Sequence, residues 1–350
     1  MKIEKKELVR ILGKMKGIVQ RNDAMPVLSG VLVDDGYFIG TNQEITVKMK
    51  SEYAEGEKFV IPMEAFDLIN NLPDEDVELT ADKTTIAIKT SAIRNKFSTH
   101  DPDKFSYRNT GDMLSTLEAD GLRMADAISN VIFAATDDHA STRGIHMAQK
   151  GDQYIVEASD GHVLARDTVD MTGQGMDIII PKVAAKKHLS VGLYGKVKIS
   201  FGKIGIQFET ADCMIGSQLY AGKYPDLDKI MAMEPAMKVE ARRKDALEAV
   251  VRANTCVTSQ IKIPVRLDIK DDAMQVSIAD RNSEFVEKLP VTTSSPENMM
   301  IGFDSKLTIN VLKSFDDEKI CIGLSGTKMP SIWSCENSGM KAVLLPVNIG

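Results

Sequence analysis

The chain has 350 residues, 43% of them hydrophobic and 27% charged, with a net charge of −7. That balance suits a globular protein with sizeable cores and excludes a disordered or fibrous chain. No apolar run approaches the length of a membrane span. The N-terminal MKIEKKELVR leads into no apolar signal core, and Cys213, Cys256, Cys321 and Cys335 form no CxxC pair. The expectation is a cytoplasmic protein with reduced thiols.

In chain order, Leu8, Ile11, Leu12, Met15, Ile18 and Val19 recur at helical spacing and predict an amphipathic helix. Lys2, Lys6, Arg10, Lys14 and Arg21 fall opposite that stripe. Residues 1–21 carry +5, which leaves −12 for the remainder. Val27 to Val33 is β-rich and runs into the turn Asp34-Asp35-Gly36-Tyr37. Alternating runs around Asp82-Lys83, Lys150-Gly151-Asp152 and Asp271-Asp272 predict further hairpins. Helical segments are expected near Leu8, Leu122 and Leu247, and again after Pro62, Pro181 and Gly302.

These elements repeat. Pro62, Pro181 and Gly302 hold equivalent places, 119 and 121 residues apart. Turn-forming residues at Thr41-Asn42, Ser159-Asp160 and Asp280-Arg281 keep a spacing of 118 and 121. A period of about 120 residues is too long for a solenoid unit and fits a domain with its own core. The prediction is an α+β protein of three similar domains, 1–114, 115–236 and 237–350, each with two helices packed on antiparallel sheet. Basic helix residues recur in each third: Lys182, Lys186 and Lys187 in the second, and Arg242, Arg243, Lys244, Arg252, Lys306 and Lys313 in the third. Lysine and arginine on helices, without clustered aromatics, suit contact with a nucleic-acid backbone irrespective of sequence.

No catalytic grammar emerges. Ser159-Asp160-Gly161-His162 holds acid-base residue types, but neighbours in sequence rarely converge on one point. Asp137-Asp138-His139 lacks a second cluster for a metal. Gly323 and Gly326 are separated by two residues, not the four of a phosphate loop. The reading is a binding or scaffolding protein without cofactor or metal.

EASDGHVLAR (157–166) resembles the ATDGHRLA stretch of the bacterial DNA polymerase III beta subunit, the replicative sliding clamp family. The resemblance extends in order through AMPVLSGVLV (24–33), FSTHDPDKF (97–105), YPDLDKIM (224–231), IPVRLDI (263–269) and LLPVNI (344–349). It implies a head-to-tail homodimer forming a six-domain ring around double-stranded DNA, a processivity factor and not an enzyme. The implied partners are a polymerase catalytic subunit, a clamp loader and other proteins carrying a clamp-binding motif. By the same resemblance the partner-peptide pocket comprises Thr142, Ser159, Gly161, His162, Val163, Leu164, Pro225, Lys229, Ile230, Asp304, Leu307, Val343, Leu345, Pro346, Val347, Asn348 and Ile349. The DNA-facing residues are Lys6, Arg10, Lys14, Arg21, Lys182, Lys186, Arg242, Arg243 and Lys306, and the dimer seam uses Phe105, Cys256 and Val257.

The chain departs from the family pattern at Val163 and in the tail Leu-Pro-Val-Asn-Ile, where arginines are usual, and at Lys262 and Leu307, where aromatics are usual. These departures point to an altered peptide preference. A divergent or mobile-element paralogue with a changed partner set, a sequence-specific DNA-binding protein, and an enzyme built around Asp160 and His162 stay open as alternatives.

Overall fold

The computed structural model describes residues 1–139, 141–173, 175–256 and 263–349. They form seven helices: α1 (Lys5–Met15), α2 (Phe66–Asn71), α3 (Gly121–Val131), α4 (Lys182–Val191), α5 (Asp228–Met231), α6 (Arg243–Thr255) and α7 (Ser305–Lys313). Among the described residues no helix is long and apolar enough to cross a membrane. The chain divides into two compact units. One is Met1–Ala125, Met171–Gly175 and Val183–Ala221; the other is Asp126–Asp170, Met176–Lys182 and Gly222–Gly350. The predicted middle domain therefore contributes strands to both.

The first unit holds two antiparallel sheets. In the four-stranded sheet the order is Lys2–Glu4, Asp76–Ala81, Thr85–Lys89 and Arg94–Ser98. The nine-stranded sheet runs from Met171–Thr172 to Lys58–Pro62, and at its middle Cys213–Gln218 pairs with Ile45–Lys50. There Ile215 faces Val47 and Gly216 faces Thr46, so one ladder joins residues of the first and second repeats. The second unit repeats the plan. Its nine-stranded sheet joins Val163–Val169 to Lys341–Leu344, with Leu164 opposite Val343. Its four-stranded sheet has the order Glu284–Pro290, Ala273–Ala279, Pro264–Lys270 and Met299–Asp304.

The predicted hairpins form at all four places. The three Asx positions of the repeat make the same turn. Asn42 Oδ1 accepts from the Glu44 and Ile45 amides, Asp160 Oδ1 from those of His162 and Val163, and Asp280 Oδ1 from those of Asn282 and Ser283. A short carboxylate or amide side chain bonding two residues ahead is what fixes this turn.

Two expectations need correction. The β-rich run begins one turn late, because Pro26–Ser29 is a 3-10 turn and the strand starts at Gly30. Helix α1 stops at Met15, short of Ile18 and Val19, because Gly17 adopts φ +84° and the Ile18 and Val19 amides fold back onto the Met15 carbonyl. Ile18 and Val19 are still buried, but Lys2 and Arg21 are not helical.

Helices α1 and α4 exchange lysines. Lys14 Nζ donates to the Val191 carbonyl at the end of α4, and Lys187 Nζ donates to the Lys16 carbonyl at the end of α1, 2.8 Å away. Each cation meets the negative end of the other helix. Lys187 was expected on a solvated basic face; it is buried instead, and desolvation lowers its pKa to about 8. Its neighbour His188 is 1% exposed and lies 4.6 Å from the Phe208 ring. Desolvation lowers its pKa to about 4, so the imidazole is neutral.

Candidate partner-binding pocket and DNA-facing residues

The pocket residues assemble in the second unit from three walls. The first is the turn Ser159–His162, held by Asp160 and by the Gly161 amide donating to Ser159 Oγ. The Asp160 carboxylate bonds the His162 main chain and not its ring, so the pair orients a turn and is not arranged as an acid-base couple. Behind the turn, Leu164 and Val343 pair across neighbouring strands and pack with Met231, Leu227 and Ile332. Val163 lies on the opposite strand face from Leu164 and is buried there, so it supports the fold more than the groove.

The second wall is the segment from Tyr224 to Met231. Tyr224 stacks on His146 with ring centroids 4.7 Å apart, and its hydroxyl donates to the Thr142 carbonyl at 3.4 Å. Pro225 then turns the chain into the single-turn helix α5. Leu227 and Met231 face the apolar cluster, whereas Lys229 and Ile230 face solvent, Ile230 at 38% exposure.

The third wall is the tail. The Leu345 amide donates to the His162 carbonyl at 2.9 Å, and Leu345 remains 39% exposed. The Val347 amide donates to the Gly302 carbonyl at 2.9 Å, and Arg266 Nη2 donates to the Ile349 carbonyl at 3.0 Å. A Cβ on Gly302 would lie 2.0 Å from Ile349 Cγ2, so glycine permits the tail to rest on this strand. Pro346 is half-buried and Asn348 exposed. Asp304 caps α7, accepting from the Lys306 and Leu307 amides, and Leu307 is half-buried on that helix. Together the segments carry the buried Leu164, Met231 and Val343 and the exposed Ile230, Leu345 and Val347.

The charged residues beside these segments were not singled out from sequence. Arg166 Nε donates to the buried Glu157 at 2.7 Å, and its Nη2 forms ion pairs with Glu157 at 2.6 Å and with Asp228 at 2.8 Å. Lys150 Nζ meets Asp228 at 2.8 Å, and His146 Nδ1 lies 2.7 Å from Glu157. Hydrogen bonding from Lys150, reinforced by Arg166, holds the Asp228 carboxyl below its ordinary pKa in spite of desolvation. Glu157, Arg166 and Asp228 lie within the stretches 157–166 and 224–231, but their pairing joins segments distant in sequence, which local sequence does not mark.

Most expected DNA-facing cations are already engaged. Lys6 pairs with Asp74 at 2.6 Å, Arg10 with Glu7 at 2.7 Å and Arg21 with Asp23 at 2.9 Å. Arg242 approaches Asp245 and Glu318 at 3.7 and 3.9 Å. Lys14 and Lys182 donate to the Val191 and Ala135 carbonyls. Arg243 Nε and Nη1 donate to the Asp317 and Leu312 carbonyls, so this guanidinium ties the end of α7 to α6. Among the described residues, Lys186 and Lys306 are exposed and form no ion pair. Sequence composition counts charges but cannot show which are paired.

Models of the DNA polymerase III beta subunit match along the whole chain: its N-terminal domain at residues 1–110, its central domain at 117–226 and its C-terminal domain at 229–348. The chain belongs to the DNA polymerase III beta subunit family. It is a DNA sliding clamp for a DNA polymerase. Curated beta sliding clamps are similar over nearly their full length: that of Pseudomonas aeruginosa is 23% identical, covering 99% of both chains. That of Staphylococcus aureus is 21% identical, covering 95% of this chain and 94% of its own. Crystal structures of the beta subunit from Thermotoga maritima (TM-score 0.89, 20% identity, 100% and 99% coverage) and of a sliding clamp from Bartonella birtlesii bound to griselimycin (TM-score 0.91, 21% identity, 100% and 99% coverage) share the fold.

Of the residues expected at a dimer seam, Phe105 packs against the cluster of Val27, Leu28, Leu32, Ile39 and Val60. Cys256 ends α6, and its carbonyl accepts from Ser283 Oγ. Val257 and Lys262 lie outside the described residues. Each four-stranded sheet also ends on an edge strand, Arg94–Ser98 in the first unit and Glu284–Pro290 in the second.

Proposed function

We propose that two copies of this clamp close head to tail into a ring of six domains, three from each chain with the bounds 1–114, 115–236 and 237–350, and that the ring holds duplex DNA without reading its sequence. The observation that carries the reading is the pair of open edges. Arg94 and Lys96 make the edge of the first unit basic, and the edge of the second carries the exposed Glu284, Glu287 there being bonded by Arg252 of its own chain and followed by Lys288. An unpaired edge strand is a template for another strand, and here the charges favour the other end of a second copy over the same end. A heterologous contact of this kind gives a closed ring when its rotation closes.

On this reading the chain works in the cytoplasm and carries no catalytic site. Opening of the ring falls to a separate loader. The groove of Leu164, Ile230, Leu345 and Val347 takes short peptides with a Gln and apolar anchors from a polymerase catalytic subunit, the loader and other clamp-binding proteins. Asn348, in place of an arginine, shifts its peptide preference, whereas Val163 is buried in its strand. Scattering with mass measured on the same sample tests the assembly. The expected result is a hollow particle of about 77 kDa, twice the 38.4 kDa chain. Arg94→Glu with Lys96→Glu should shift it toward monomer, and Glu284→Lys with Glu287→Lys added to that chain should restore the dimer. A compact 38.4 kDa wild type would refute ring closure.

A further inference from the structure

Helix α5 is a single turn, which does not stand alone in water because nucleating a helix costs more than one turn returns. Its N-cap, Leu227, offers no side-chain acceptor. Locally, Asp226 Oδ1 accepts from the Asp228 amide at 3.0 Å, and the other contacts that hold the turn are tertiary. On one side Leu227 and Met231 sit on the apolar cluster of Leu164, Val343 and Ile332. That contact is non-directional and allows the turn to slide or rotate. The directional contact is the hydrogen bond that Lys150 Nζ donates to Asp228 Oδ2 at 2.8 Å, and Arg166 Nη2 forms an ion pair with Asp228 Oδ1 at 2.8 Å.

Arg166 is itself fixed. Its Nε donates to Glu157, which is buried and also bonded by His146, and its Nη2 forms an ion pair with the same carboxylate. A planar guanidinium gripped along one edge presents its remaining donors in a set direction. The cleft beside it, about 440 Å³, is lined by Lys150, Arg166, Asp228, Met231 and Lys341, so water and ions reach the pair. The next two residues, Lys229 and Ile230, are the exposed ones on the groove side.

We propose that Asp228, seated between Lys150 and Arg166, is a positioning residue of the partner-peptide pocket: it sets the rotation of α5 and so the placing of Lys229 and Ile230, without touching the peptide. This rests on the groove being a peptide site. A pocket whose competent arrangement is only fractionally populated binds more weakly by that fraction.

The test compares wild type, Asp228→Asn and Asp228→Glu in the full-length protein. The probe is a synthetic fluorescent peptide carrying Gln followed by Leu and Phe anchors. Asp228→Asn keeps the shape and removes the charge. It is expected to raise Kd about tenfold, or about 1.4 kcal/mol, and to speed amide exchange at Ile230 and Met231 while leaving Ile332 unchanged. Asp228→Glu is expected to recover most of the affinity. The proposal is overturned if Asp228→Asn binds as wild type does, if affinity falls with no change in exchange at α5, or if Asp228→Glu is as weak as Asp228→Asn. Failure of the wild type itself to bind the peptide would instead remove the pocket reading, and this proposal with it.

Discussion

His188 is a base kept neutral by burial, and that has a thermodynamic consequence. Its pKa falls from 6.5 in the unfolded chain to about 4 in the fold. Between those values the unfolded chain binds the extra proton, so stability is complete above about pH 6.5 and declines as pH falls toward 4. The contribution at stake is about 3 kcal/mol at most. Urea denaturation at pH 7 and pH 4.5 should show a larger acid loss in wild type than in a His188→Phe variant, whose ring would stay beside Phe208 without a titrating nitrogen. An equal loss in both would place the acid sensitivity elsewhere. At Gly302 the issue is space, since any side chain meets Ile349. Gly302→Ala should lift the tail from its strand and weaken peptide binding several-fold while leaving the melting temperature nearly unchanged, which titration and thermal melting would show together.

The lysine exchange between α1 and α4 belongs to the scale of elements. Removing Lys187 as Lys187→Met keeps the apolar stem but leaves the Lys16 carbonyl without its donor. Depriving a partly buried carbonyl of its partner costs about 1–3 kcal/mol, which denaturant midpoints would reveal. Between about pH 8 and 10.5 the unfolded chain holds a proton that the folded Lys187 has released, so stability should rise with pH there, and the same variant should abolish that rise. This pairing also shows where sequence reading stops. The hairpins and the three Asx turns were legible because their chemistry is local: Asn42, Asp160 and Asp280 each bond amides two and three residues ahead. The fate of Lys14, Lys182, Lys187 and Arg243 was not, because a carbonyl at the end of a distant helix leaves no mark in the surrounding sequence. For the same reason Arg166 and Asp228, although inside the stretches 157–166 and 224–231, could not be read as partners of one another or of Lys150. Helix α1 was overextended because Ile18 and Val19 continue the apolar stripe after Gly17 has already turned the chain.

At the scale of the whole molecule, the ion pairs bear on how the clamp meets DNA. Lys6, Arg10, Arg21 and Arg242 each have an acidic partner in place, and a paired cation displaces few counterions from a phosphate. Binding should therefore be weak and only shallowly dependent on salt. Lys186→Met should reduce the slope of log K against log salt by roughly 0.9 for each phosphate it no longer neutralises, whereas Lys6→Met should barely alter it; duplex titrations between about 50 and 200 mM salt would separate the two.

The ladders that pair Ile215 with Val47 and Leu164 with Val343 run across the borders of the repeats. What was duplicated in descent is thus not what folds. An excised middle repeat would bring two raw strand edges, Cys213–Gln218 and Val163–Val169, into water with no neighbour, and such edges recruit other chains. The ladders bind neighbouring repeats edge to edge, so unfolding is expected to be shared across the borders of the threefold pattern.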